Sequence, residues 1–180
     1  PESPKYLNKE VDIVPIQMFG QFAIPPAANL FRIHERSVAD TKLFAKSFAP
    51  TMIYQRLSIG DFSGAQLADE LGIPLIVEYN ASEVWIAENW GRKLHYMNSC
   101  IQAEDAMLNM ANLVFTISEP LQDELLNRGI QPNRIRWYPN CVDSDIYDSS
   151  RWTNDELRAT RKGFGAADDS FVLTFVGTFG

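Results

Sequence analysis

Trp137-Tyr138-Pro139-Asn140-Cys141-Val142-Asp143 and, further along, Phe171-Val172-Leu173-Thr174-Phe175-Val176-Gly177-Thr178-Phe179-Gly180 decide how the chain is read. The first stretch starts as an extended run, halts at Pro139, which has no N–H to give a strand ladder, and turns through Asn140. The second is apolar without alternation up to Thr174 and ends in a turn spaced by glycines. Strands buried on both faces of a parallel sheet have this continuous apolar character, and ligands of open α/β sheets gather beyond their carboxyl ends. Between the two stretches, Ser144 to Asp169 is polar, as interdomain connections are. The pattern predicts an α/β domain over residues 1–145, a linker over 146–169, and the first strand and glycine loop of a second domain over 170–180.

Working back from this point, strands and helices alternate. Val11–Ile16 is a short β-branched run cut by Pro15, and residues 20–29, with two prolines and a glycine, read as a loop. Asn29 is placed to cap a helix from Leu30 to about Phe48, closed by Pro50. Residues 52–57 and 74–78 read as strands, separated by a short helix that Gly72 and Pro74 stop. The connection over residues 79–96 is long and carries Trp85 and Trp90, so we expect an ordered functional loop there. Met97, Cys100, Ile101, Met107, Leu108 and Ala111 fall on one helical face. Residues 113–117 form the next strand. Ser118 then caps a helix with Pro120 in its first turn and Leu121, Leu125 and Leu126 facing inward, before Gly129 stops it and residues 134–138 close the unit. Such alternation means a parallel sheet covered by helices.

Pro139-Asn140-Cys141-Val142-Asp143, with Ser118-Glu119 before it and Phe175–Gly180 after it, resembles the group 1 retaining glycosyltransferases of GT-B fold, and the resemblance runs over residues 52–180. In that family a Pro-Asn-Gly-Val-Asp element ends the amino-terminal domain, and a glycine loop after the next strand faces the donor diphosphate; Cys141 stands here in place of the glycine. The resemblance implies half of a GT-B fold, a Rossmann-like parallel sheet with helices on both faces, truncated at both ends and running into the donor domain. It implies a hexosyltransferase-like activity, moving a sugar from a nucleotide diphosphate sugar to a hydroxyl of a carbohydrate or lipid-linked acceptor. The nucleotide sugar is a co-substrate, and neither a cofactor nor an essential metal is implied. Without the donor-gripping residues of a second domain, and without the glycine loop that follows the family's first strand, the fragment alone is expected to be inactive. A nucleotide-sugar epimerase of the same fold and a non-catalytic sugar- or nucleotide-binding module are the alternatives.

Composition narrows the partners. The 180 residues are 46% hydrophobic and 22% charged, an ordinary globular balance. A net charge of −7 argues against nucleic acid, whose phosphates call for a basic face. No apolar run approaches the ~20 residues of a membrane span, and no signal peptide is evident. Cys100 and Cys141 are too few for a disulfide framework and too far apart for a zinc knuckle. We therefore expect a cytoplasmic protein, and peripheral membrane contact, common in the family it resembles, stays open.

On the acceptor side the candidates are Glu78, at the carboxyl end of its strand, followed by Asn80, Glu83 and Trp85. Aromatic rings suit the apolar faces of a pyranose, while carboxylates and amides bond its hydroxyls. On the donor side, Gly177, Thr178, Phe179 and Gly180 offer backbone N–H groups to a phosphate, and Asn140 and Asp143 are expected to line the cleft between domains. No catalytic residue is assigned. Glu104 falls on an apolar helical stripe and so needs a cationic partner, for which Arg56 is the expected choice. Neither His34 nor His95 is paired by sequence with a nucleophile.

Overall fold

The computed structural model describes residues 26–90, 94–167 and 169–177. The expected strand over 11–16 and most of the loop over 20–29 lie outside them. The chain divides into two compact units, Pro1–Pro139 and Asn140–Gly180.

The first unit is an α/β, Rossmann-like fold: a four-stranded parallel sheet flanked by helices, with strand order β1-β2-β3-β4. The strands are β1 (Ile53–Arg56), β2 (Leu75–Tyr79), β3 (Leu113–Thr116) and β4 (Ile135–Trp137). Helix α1 (Pro26–Phe48) precedes them. Then come α2 (Ser63–Leu71), α3 (Glu83–Asn89), α4 (Met97–Met110) and α5 (Glu119–Asn127). Register follows the pleat: Gln55 opposes Val77, Val77 opposes Val114, and Val114 opposes Ile135, so these side chains share a face.

That face holds the core. Leu75, Val77, Tyr79, Val114 and Ile135 from the strands meet Ala65 and Ala68 of α2, Met107, Leu108 and Ala111 of α4 and its end, and Leu125 of α5. The opposite face, with Tyr54, Arg56, Ile76, Glu78, Leu113, Phe115 and Arg136, is half-buried to exposed. A strand order that only rises explains the sidedness, because parallel crossovers are right-handed and successive ones then pass on the same side.

Local chemistry sets the element ends. Gly72 terminates α2 with φ of 65°, a left-handed conformation in which glycine has no side chain to clash. Gly64 is required by close approach: a Cβ there would lie 2.1 Å from Gln55 Oε1, which accepts the Gly64 N–H at 2.6 Å. The Arg134 guanidinium donates to the carbonyls of Leu108 (2.9 Å), Asn109 (2.8 Å) and Ala111, satisfying the orphan acceptors at the end of α4.

Several expectations are corrected. Helix α1 begins at Pro26 rather than after Asn29, since a proline in the first turn has no helical N–H to lose. Asn29 lies inside it, its Oδ1 buried without a partner among the described residues. The connection over 79–96 is not a plain loop, because α3 forms within it on the Ser82 cap, whose Oγ accepts the Trp85 N–H at 3.2 Å. Ser118 sits at the start of α5, yet its side chain makes no capping bond. Ile101 and Leu126 face solvent; Ala103 and Glu104 join the buried stripe of α4, and Leu125 alone of α5 is fully buried.

The second unit contains α6 (Asn154–Gly163), opened by a capping box in which Thr153 and Glu156 satisfy each other's backbone. A groove of about 600 Å³ is lined by Thr160, Arg161, Phe164, Val172, Leu173 and Phe175, among others. Residues 171–176 form no strand here, and Phe171, Leu173 and Val176 are almost fully exposed.

Candidate functional site

The carboxyl edge of the sheet gathers polar groups on its half-exposed face. Arg56 and Glu78 are register partners at the ends of β1 and β2, and Tyr54, two residues back, points to the same side. The Tyr54 hydroxyl donates to Glu78 Oε2 at 2.7 Å, and Asn80 Nδ2 donates to Oε1 at 2.7 Å. The Tyr54 bond above all, then that of Asn80, with the charge of Arg56 behind them, holds the Glu78 carboxyl below the usual carboxylate range. The same bond is the main cause that pushes the Tyr54 phenol up to about 12. Glu78 is therefore ionised at neutral pH and suited to accept hydrogen bonds from hydroxyls. Asn80 keeps its buried Oδ1 without a partner among the described residues. Arg56 has no ion pair within 4.0 Å among them.

This arrangement makes a testable expectation. Near-ultraviolet absorbance titration should find one tyrosine ionising at about pH 12, a signal lost in Tyr54→Phe and moved down toward the ordinary value in Glu78→Gln. Because the folded-state pKa is raised, the stabilisation from this bond is complete below the ordinary phenol range and disappears as pH rises through about 12.

Glu83 opens α3 beside this cluster. Burial pushes its carboxyl up, Arg56 pulls it down, and Glu104 pushes it up again. Trp85 and Trp90 meet edge to face, with ring centroids 5.2 Å apart at 77°, and both are exposed. Thus Glu78 and Asn80 are brought into contact, Glu83 lies in the same electrostatic neighbourhood, and Trp85 presents an aromatic edge on the helix that follows.

The residues expected on the donor side are arranged differently. Asp143 Oδ1 accepts the Asp145 N–H at 3.0 Å, a local turn bond, and Asn140 is exposed in irregular chain. Gly177 lies at a bend, while Thr178, Phe179 and Gly180 fall outside the described residues.

Behind the edge sits an ionic network around the buried Glu104, with Arg128 and Asp105 partly exposed. Glu104 is paired not with Arg56 but with Arg128, whose Nη1 lies 2.5 Å from Glu104 Oε1 and whose Nη2 lies 2.6 Å from Asp105 Oδ1. Burial works against the Arg128 charge, and the bonds to Glu104 and Asp105 more than offset it, so its pKa is raised. Tyr79, fully buried, donates to Glu124 Oε1 at 2.5 Å and receives a bond from Arg128 at 3.3 Å. Its phenol is pushed up by burial first and by Glu124 second. His34 is also buried, with Nδ1 3.3 Å from Asp61 Oδ1 and its ring stacked on Phe62, and no nucleophile touches it among the described residues. Sequence reading missed Tyr54 and Arg128, because cross-strand register and helix docking, not spacing, bring them in.

Among the described residues no group of three or more His, Cys, Asp and Glu is placed to hold a metal, and no helix is long and apolar enough to cross a membrane. The fold is Rossmann-like, a parallel sheet flanked by helices. Among the solved structures it is similar to is a sucrose-phosphate synthase from Thermosynechococcus elongatus, at 15% sequence identity and a TM-score of 0.57. The match covers 83% of this chain and 36% of that one, so the chain spans little more than a third of its structural neighbour. No family model matches the chain, and no curated protein matches it in sequence.

Proposed function

We propose that the chain forms the acceptor side of a group 1 retaining glycosyltransferase, in which a sugar passes from a nucleotide diphosphate sugar to an acceptor hydroxyl. The observation that carries this reading is the ionised Glu78, flanked by Asn80, Tyr54 and Arg56 at the carboxyl edge of a parallel sheet, with exposed Trp85 and Trp90 close by in sequence. Glu78 and Asn80 accept and donate to sugar hydroxyls, and the indoles stack on the apolar face of a pyranose ring. The donor is gripped by residues of a second domain, which residues 170–180 begin, with positive groups and backbone dipoles there easing departure of the donor phosphate. The protein works in the cytoplasm, without a resident cofactor.

A titration of the purified chain with a panel of glycosides, followed by tryptophan emission, tests this. We expect at least one glycoside to quench the emission, and Glu78→Ala or Asn80→Ala to weaken binding roughly 10-fold or more. When the chain is joined to a donor domain, the same changes should lower transfer roughly 100-fold. Binding that survives both substitutions would move the acceptor site elsewhere. Conversion of a nucleotide sugar with no acceptor present would replace the transferase with an epimerase.

A further inference from the structure

We propose that Glu104 and Arg128 are positioning residues that fix residues 80–89, and with them Asn80, Glu83 and Trp85, at the carboxyl edge of the sheet. Glu104 Oε2 accepts the Glu83 N–H at 3.0 Å and the Val84 N–H at 3.4 Å, reaching across from α4 to the first turn of α3. Its other oxygen is held by Arg128 at the end of α5. Arg128 also bonds the Tyr79 hydroxyl. The stretch from Asn80 to Ser82 is thus bracketed: Tyr79 before it and Glu83 and Val84 after it are tied to one ion pair.

The chemistry favours a placing role over a purely stabilising one. Ser82 already caps α3 locally by accepting the Trp85 N–H, so the helix start does not depend on Glu104 alone. A buried ion pair adds little net stability compared with apolar side chains of the same volume, because desolvation consumes most of its attraction. What the pair supplies is directional: a fixed carboxylate aimed at two particular amides. Burial first, and the Glu104 charge only to a lesser degree, raises the Glu83 carboxyl.

The value of this placement for sugar binding rests on the proposed function, but the placement itself is measured without a ligand. In the full chain, Glu104→Gln should speed amide exchange at Glu83 and Val84 roughly 10-fold beyond any change at the core amides of Val77 and Val114. The indole N–H resonances of Trp85 and Trp90 should move while those of Trp137 and Trp152 stay. Arg128→Lys, which keeps the charge but not the fork, should give a smaller shift of the same kind. Exchange at Glu83 and Val84 that rises only in step with the core, or indole shifts spread over all four tryptophans, would overturn the proposal. If the local changes appear and no glycoside binds the unmodified chain, the positioning role stands and the glycosyl-transfer reading falls.

Discussion

Arg128→Met should lower the unfolding free energy by about 3–5 kcal/mol, seen as a large drop in the urea midpoint followed by far-ultraviolet circular dichroism. The methionine fills much of the same volume, so the effect isolates the charge. It leaves Glu104, only 5% exposed, facing a low-dielectric surround with no cation beside it. Tyr79 loses a donor at the same time, and Asp105 its partner. The double change Glu104→Leu with Arg128→Met should recover much of the loss, because it removes the stranded charge together with its counter-ion. A single substitution that costs less than about 1 kcal/mol would mean that water reaches Glu104 and that the network is peripheral.

Leu125→Ala is expected to cost about 2–5 kcal/mol by the same measurement. Leu125 is wholly buried against the helix-covered face of the sheet, where its removal opens a cavity that the surrounding strands are too constrained to fill. The adjacent Leu126→Ala provides the control. That side chain is 36% exposed, so its loss should cost a small fraction of the Leu125 value. Equal losses at the two positions would show that α5 packs in a different rotational phase.

The two substitutions probe the two kinds of information that the sequence carries unequally. Elements bounded by strong local chemistry are legible in it. Gly72 and Pro74 mark the end of α2 and the start of β2, and Asn112, just before β3, lends its Oδ1 to the Leu75 N–H at 2.8 Å. The apolar strands β2 and β3 read directly as core. The short helix α3 is less legible, since seven residues carry too little periodicity; the pair Ser82-Glu83, a cap followed by an acidic first turn, is the signal that could have found it. Phase is harder still. Leu125 and Leu126 are chemically alike and one helical step apart, and Ile101 belongs to the apolar pattern of α4 as well as Leu108 does, so composition does not say which of them meets the sheet.

The candidate site divides in the same way. Glu78 is legible because it ends an apolar strand, and Asn80 because it follows at once. Tyr54 and Arg56 join them only through the parallel register of β1 on β2, which depends on how strands slide until their buried faces match. Arg128 finds Glu104 only once α4 and α5 dock on the same face. Residues 171–176 carry the sequence of a buried strand, yet they adopt no strand and Phe171, Leu173 and Val176 are almost fully exposed. Sequence by itself determined the four strands β1 to β4, the longer helices between them and the acidic Glu78 near the sheet edge, since these follow from local sterics and the period of hydrophobic side chains. Tertiary structure alone decided which face is covered, which leucine is buried and which arginine neutralises Glu104, because those outcomes depend on contacts between segments far apart in the chain.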